Sequence, residues 1–216
     1  MNNPNELSLY LASASPRRRE LLNILCTNFK TISPDIDETL ESSDFHQAIK
    51  NLAIKKAEAG WEMLNHPESV AILSADTLVI FKQRPMGKPH NATEASLFLL
   101  AMSGHTHQVI TSLALLTKKP GKELIFTTAL SITDVTFRAL KEEEIEAYIE
   151  TDEWCDKAGG YGIQGIAGAF VEKMSGSYSG VMGLPLSETL QLLKSAGLSH
   201  KLQTLKHQID QQYGSM

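Results

Sequence analysis

Strand-like and helix-like stretches interleave along a chain of 216 residues, and that alternation predicts a single mixed α/β domain. The first sign is "LYLASASPRRRELL", residues 9 to 22, where an apolar run, a Ser-Ala-Ser-Pro corner and a helical stretch read as strand, turn and helix. The second is the pair "HQVITSLALLT" and "ELIFTTALSITDVTFR". Both are rich in β-branched residues and they flank "KKPGK", whose Pro-Gly step predicts a hairpin of two long strands. The third is continuity: the sequence contains no internal repeat, linker or low-complexity tract, and its length suits one substantial core but not two.

Each element has a local reason. "ELSLYLA" is strand-like; Ser15 and Pro16 mark the N-cap and first position of the helix "SPRRRELLNIL", with Leu21, Leu22 and Leu25 on its buried face. Residues 45 to 64 read as a second helix, with Ala48, Leu52 and Ala59 among its apolar positions and Lys50, Lys55, Lys56 and Glu58 among its polar ones. "SVAILSADTLVIF" follows as a buried strand or hairpin arm, and "QRPMGKPHNATEASLFLLAMSG" turns at Gly87-Lys88-Pro89 into a helix that stops at Gly104. Beyond the long hairpin, "LKEEEIEAYIE" predicts a short helix, and "DKAGGYGIQGIAGAF" and "SGSYSGVMGLP" read as glycine-rich loops. A last helix begins near Pro185 in "PLSETLQLLKSAG". The expected domain covers residues 1–216, with a core of about 8–196 and a polar C-terminal tail over 197–216.

A net charge of −5 gives no basic face for generic DNA, RNA or anionic-membrane binding, so any phosphate chemistry has to be local. The N-terminal "MNNPNELSLYLASASPRRR" lacks the charged start and long apolar run of a signal peptide or membrane span, and a cytoplasmic protein is expected. Cys26 and Cys155 have no metal-ligand spacing and are assigned no chemistry.

Arg17, Arg18 and Arg19 crowd a first helical turn whose free N–H groups already carry partial positive charge. That placement is unfavourable for the helix alone and favourable when a polyanion docks, so Ser13, Ser15, Arg17, Arg18 and the backbone amides form a candidate phosphate cradle. An arginine-rich solvated face with an ordinary serine cap accounts for the same residues equally well. Asp76 interrupts the apolar "AILSADTLVIF" as either a metal ligand, a base that activates water, or a strand-end acid held by the backbone or an arginine. "SPDIDETL" supplies Asp35, Asp37 and Glu38. Because Mg²⁺ takes one or two carboxylates plus water and phosphate oxygens, Glu38 with Asp76 suffices if the two converge; otherwise these acids belong to a solvated turn. Lys56 and Lys88 are candidates for neutralising phosphate, or plain solvated lysines. His105 and His107 in "SGHTHQV" have no third ligand nearby and predict no zinc site. Gln164, among glycines that permit close backbone approach, offers both donor and acceptor. Neither a GxGxxG after the first strand nor a GxxxxGK[ST] occurs, which argues against dinucleotide binding and P-loop hydrolysis.

Taken together, "LASASPRR", "IDE", "KKA", "SADT", "GKP", "MSGHTHQV", "DKAGGYGIQG" and "GLPL" stand in the order and approximate spacing of the Maf family of nucleotide pyrophosphatases, which the chain resembles from residue 8 to about 195. The resemblance implies a long twisted sheet with a cleft between two lobes, as in Maf and ITPase-like folds, and a homodimer. It implies metal-assisted hydrolysis of a nucleoside triphosphate to a monophosphate and pyrophosphate, with a divalent metal, Mg²⁺ or Mn²⁺. It casts Asp76 as proton acceptor for the attacking water and Glu38 with Asp76 as carboxylates at the metal. Ser13, Ser15, Arg17, Arg18, Lys56 and Lys88 then fall in the polar cleft that holds the triphosphate. Arg17, Thr77 and Gln164 resemble the branch acting on dTTP and UTP; the sister branch acting on 7-methyl-GTP carries an aromatic residue, a glutamine and a glutamate at those places. A neutral amide suits the mixed donor and acceptor edge of a pyrimidine, whereas an acid suits a cationic methylated guanine. "SITDVTFRALKEEEIEAYIETDE" also resembles the dTTP/UTP branch, while Trp154-Cys155, Gly180 and Met182 depart from its usual residues. The alternatives are a pyrophosphatase of modified nucleotides and a non-catalytic regulator, since the family is also associated with inhibition of septum formation.

Overall fold

The computed structural model describes residues 7–40, 42, 44–198, 200 and 201, so most of the tail expected over 197–216 lies outside the described residues. Seven strands form one mixed sheet in the order β2-β1-β3-β5-β6-β7, with β4 on β3. β1 (Ser8–Ala12) leads through Ser13–Ser15 into α1 (Pro16–Leu25) and back to β2 (Lys30–Ile32). α2 (Phe45–Met63) then crosses to β3 (Val70–Phe81), and β1 runs parallel to both β2 and β3. β3 turns at Lys82 and Gln83, both at positive φ, into β4 (Arg84–Met86), the twist a tight hairpin demands. α3 (Ala92–Met102) precedes the long hairpin of β5 (Thr106–Lys118) and β6 (Ile125–Phe137). α4 (Glu142–Ile149), two 3-10 turns at Ala158–Gly160 and Ile166–Phe170, β7 (Val171–Ser175), α5 (Tyr178–Val181) and α6 (Leu186–Ser195) complete the order.

Side chains alternate along β3, and the two faces bury different things. On one face Ala71, Leu73 and Ala75 join Leu21, Leu22 and Leu25 of α1 and Leu192 and Leu193 of α6 in one apolar cluster. Further along the same face Val79 and Phe81 join Ala95, Leu99 and Met102 of α3 and Ile145 and Tyr148 of α4 in a second. These clusters are the cores of two lobes, and Thr77 falls between them. On the opposite face α2 lies over the sheet, with Ala53 and Ala57 against Val70 and Ile72, and Ile49 against Leu78 and Ile110. The approach is close because α2 has Gly60 there: a Cβ would stand 2.9 Å from Ile32 Cδ1 and 3.3 Å from Ile72 Cγ2.

One irregularity in the sheet positions the cleft. β5 pairs with β3 continuously from Val70 to Ile80, so β1 and β4 share the other edge. β1 stops at Ala12 opposite Ser74, and β4 starts only at Met86 opposite Val79. Residues 75–78 of β3 therefore have no strand on that edge, and the Ser13–Ser15 corner with the start of α1 emerges beside the gap.

The short elements β2, β4, β7 and α5, of three to five residues, are not singled out by the residue pattern because so few positions carry no period. α6 starts at Leu186, with Pro185 at the N-cap and not the first helical position. Lys56, expected on the polar side of α2, lies on its buried stripe, and Ala59 is only half-buried. Cys26 is buried, Cys155 exposed, and both are free thiols.

Candidate active site

The gap in the β3 edge opens into a cleft of about 490 Å³, well within the range of small-molecule sites. It gathers Ser13, Ser15, Arg17, Arg18, Glu38, Lys56, Asp76, Thr77, Lys88 and Gln164, residues spread over most of the chain. Arg19 is exposed and lies outside this cleft. Lys157 adds a further cation to the wall and Asp156 a further acid.

The cradle side is built by α1 and the corner before it. Ser13 N–H donates to Ile32 O (2.9 Å), Ser15 N–H donates to Ser13 Oγ (3.2 Å), and Ser15 Oγ caps the helix by accepting from Arg18 N (3.5 Å). Arg18 reaches across the gap, donating from Nε to Gly183 O (2.8 Å) and from Nη2 to Thr77 Oγ1 (3.1 Å). Burial lowers its pKa from the usual arginine value, Asp76 works in the opposite sense, and the guanidinium stays charged. Thr77 Oγ1 lies 2.9 Å from Thr111 Oγ1, and Thr111 donates its only proton to Gly180 O at 2.7 Å. The hydroxyl proton of Thr77 must then go to Thr111, so Thr77 accepts from Arg18 and has no donor left for a ligand. It still lines the cleft, and besides holding the guanidinium its oxygen keeps one lone pair that no protein group uses.

The opposite wall is a ladder of alternating charge. Lys56 Nζ, on α2, bonds Asp76 Oδ1 at 3.0 Å and Glu38 Oε1 at 2.7 Å, while Lys88 Nζ stands 3.5 Å from Glu38 Oε2. The side chains of Lys56 and Asp76 are only 10% and 13% exposed, and each compensates the other's burial. Thr77 N–H also donates to Asp76 Oδ1 (3.1 Å), so both bonds fall on one oxygen. Partial burial of Glu38 alone would raise its pKa, but the hydrogen bond and charge of Lys56, reinforced by Lys88, hold it below the usual carboxylate range.

Glu38 and Asp76 thus converge on a single ammonium, and their donor set is hard carboxylate oxygen. Among the described residues no group of three or more His, Cys, Asp or Glu side chains is arranged to cage a metal. The pair fits an ion of the magnesium kind, which takes one or two carboxylates and completes its shell with water and phosphate oxygens.

The far end of the cleft is apolar, walled by Val79, Val109, Tyr161, Ile163, Val181 and Met182, with the exposed Gln164 at its rim. The glycine-rich segment is tied to the Lys88 turn by Gly159 N–H donating to Gly87 O (3.0 Å). Gly159 sits at φ 70°, with Val79 methyls 3.1 Å from where a Cβ would be, so this corner needs a glycine twice over. Tyr161 OH bonds the buried His107 Nε2 at 2.7 Å, and burial pushes that imidazole's pKa down to about 4. His107 is therefore a neutral core residue and His105 an exposed one. Thr111, Tyr161 and Gly183 are the site residues that sequence reasoning misses. Thr111 leaves only a faint signal, one of two adjacent hydroxyls, with Ser112, inside the otherwise apolar middle of β5.

The model of the Maf-like protein family matches residues 8–196, and the chain belongs to that family. The dTTP/UTP pyrophosphatase of Chromobacterium violaceum is 48% identical over 197 residues, covering 89% of this chain and 96% of that protein. The dTTP/UTP pyrophosphatase of Hahella chejuensis is 44% identical over 197 residues, covering 91% and 96%. That of Escherichia coli K12 is 44% identical over 189 residues, covering 87% and 92%. A solved nucleoside-triphosphatase / dITP/XTP pyrophosphatase from Mycobacterium abscessus overlaps 60% of this chain and 74% of its own at 17% identity, with a TM-score of 0.35, too slight a likeness to carry an argument. No described helix is long and apolar enough to cross a membrane.

Proposed function

We propose that this chain hydrolyses dTTP and UTP to the nucleoside monophosphate and pyrophosphate in the cleft at the β3 gap. The observation that carries the reading is the convergence of Arg17, Arg18, Lys56 and Lys88 on one cavity beside Asp76, in a chain whose net charge is −5. The relatives named dTTP/UTP pyrophosphatase, matched over nearly their whole length, support the substrate class.

In this reading the triphosphate lies along the cationic side and the base enters the apolar end, where the Gln164 amide meets its mixed donor and acceptor edge. Asp76 takes a proton from the water that attacks the α-phosphorus. The bridging bond between the α and β phosphates breaks, and its electron pair leaves with pyrophosphate. Arg18, Lys56 and Lys88 offset the charge that builds on that leaving group, and Arg18 needs no reorganisation because Gly183 and Thr77 already hold it. Glu38 and Asp76 are the residues that would hold a divalent cation, Mg²⁺ or Mn²⁺, and such an ion when bound neutralises phosphate oxygens. Glu38 also aligns Lys56 with Lys88.

The test is product analysis with dTTP, UTP, CTP and 7-methyl-GTP at equal concentration, with and without Mg²⁺. Monophosphate and pyrophosphate from dTTP and UTP, ahead of the other two, are expected. Orthophosphate as the first product contradicts the bond assigned here, and 7-methyl-GTP ahead of UTP contradicts the base.

A further inference from the structure

Gln164 is exposed at the cleft rim, so its backbone has to fix where its amide stands. The segment that carries it is seated on one side chain from the loop after α4. Glu153 Oε2 accepts from Ile166 N (2.9 Å) and Glu153 Oε1 from Ala167 N (3.4 Å). The seating is flush: a Cβ at Gly165, the residue next to Gln164, would land on the Glu153 carboxylate. Glu153 is itself braced. Its N–H donates to Thr151 Oγ1 (3.2 Å), and its carbonyl accepts from Lys157 Nζ, which also donates to Cys155 O (3.4 Å). The Lys157 stem then runs beneath the same loop, with Cε 2.9 Å from where a Gly162 Cβ would be. Gly162 and Gly165, on either side of Gln164, thus leave the room that the Lys157 and Glu153 side chains fill behind the loop.

We propose that Glu153 is a positioning residue for nucleobase selection: its carboxylate clamps residues 164–167 from behind and so sets the place of the Gln164 amide. The inference rests on the reading that Gln164 meets the base. UTP and CTP differ in hydrogen-bond sense at ring position 4, acceptor against donor, and at N3, donor against acceptor, and an amide separates them only when held to within about half an ångström. Glu153 does not line the cleft, and its hydrogen bond to a cation of the wall, Lys157 Nζ on the Glu153 carbonyl, is made by backbone that Glu153→Ala keeps, so loss of the carboxylate acts first on the base end.

The experiment compares Glu153→Ala, Glu153→Gln, Gly165→Ala and Gln164→Ala on UTP and CTP, with inhibition by inorganic pyrophosphate as a probe of the phosphate end. Glu153→Ala is expected to raise KM for UTP and to lower the UTP-to-CTP ratio of kcat/KM by about tenfold, with kcat on UTP changed by less than about threefold. Inhibition by pyrophosphate stays as in the parent. Gly165→Ala, which displaces the carboxylate while keeping it, gives the same signature, and Glu153→Gln, which keeps one carbonyl acceptor, restores part of the ratio. Added to Gln164→Ala, Glu153→Ala lowers the ratio no further, because the two act as one unit. If Glu153→Ala fails to fold, Gly165→Ala and Glu153→Gln carry the same comparison. A ratio that collapses in Gln164→Ala but stays at the parent value in the Glu153 and Gly165 variants overturns this inference alone. So does an equal loss of turnover on both nucleotides, the mark of a merely structural role. A parent ratio in Gln164→Ala overturns the reading of the base and this inference with it.

Discussion

Asp76 illustrates how a strand can hold an acid. Its Oδ1 accepts both the Lys56 ammonium and the Thr77 amide N–H, so the carboxyl is fixed in direction before any ligand arrives. An asparagine keeps that acceptor oxygen and the shape of the residue while removing the ability to take a proton. Asp76→Asn is therefore expected to lower kcat by roughly 10²-fold or more while nucleotide affinity, measured by calorimetry on the same variant, stays close to the parent. A variant that turns over at the parental rate removes Asp76 from the chemistry. The neighbouring Thr77 plays a different part: with its proton committed to Thr111, it holds Arg18 and faces the cleft as an acceptor only.

Among the elements, α4 shows how far a single acid can be engaged at a helix start. Glu144 accepts both Arg138 Nη1 (3.0 Å) and Nη2 (2.6 Å), and it accepts the Lys141 backbone N–H (2.9 Å), closing the first turn. The hydrogen bonds from Arg138, then that from Lys141, hold its pKa down to about 2 from an ordinary 4.5. A carboxylate depressed in the folded state contributes stability that is present above its unfolded value and lost as pH falls through its folded one. Thermal stability should thus decline between pH 4.5 and about 2, and Glu144→Gln should be less stable at neutral pH and flatter across that window. Melting curves at stepped pH decide it; parallel curves for the two proteins contradict the assignment. The elements themselves were legible where their cause is local. Ser15 and Pro16 announce α1, and the Pro-Gly step announces the β5–β6 hairpin, because a cap or a turn is decided within a few residues. Burial of Lys56 was not legible, since it depends on carboxylates contributed by a loop before α2 and a strand after it.

At the scale of the molecule, the cleft comes from what two strands leave uncovered. β1 ends opposite Ser74 and β4 begins opposite Val79, and no local pattern reveals that mismatch because it is a matter of register between distant segments. The motif order in the sequence anticipates which residues meet, from Ser13 to Gln164, but not how they meet. The Arg18–Thr77–Thr111–Gly180 chain and the clamp behind Gln164 belong to the folded chain alone. Two apolar lobes on one face and α2 on the other hold these parts at fixed distances across the opening.

In the proposed function this opening receives one nucleoside triphosphate, with phosphates on the cationic wall and base at the apolar end. A crystal structure of the Asp76→Asn variant with dTTP and Mg²⁺ tests it most directly. Phosphate oxygens bonded to Arg17, Arg18, Lys56 and Lys88, the α-phosphorus nearest residue 76, and the thymine edge against the Gln164 amide are expected. A nucleotide bound elsewhere, or bound here with its base among the lysines and its phosphates at Gln164, would contradict it.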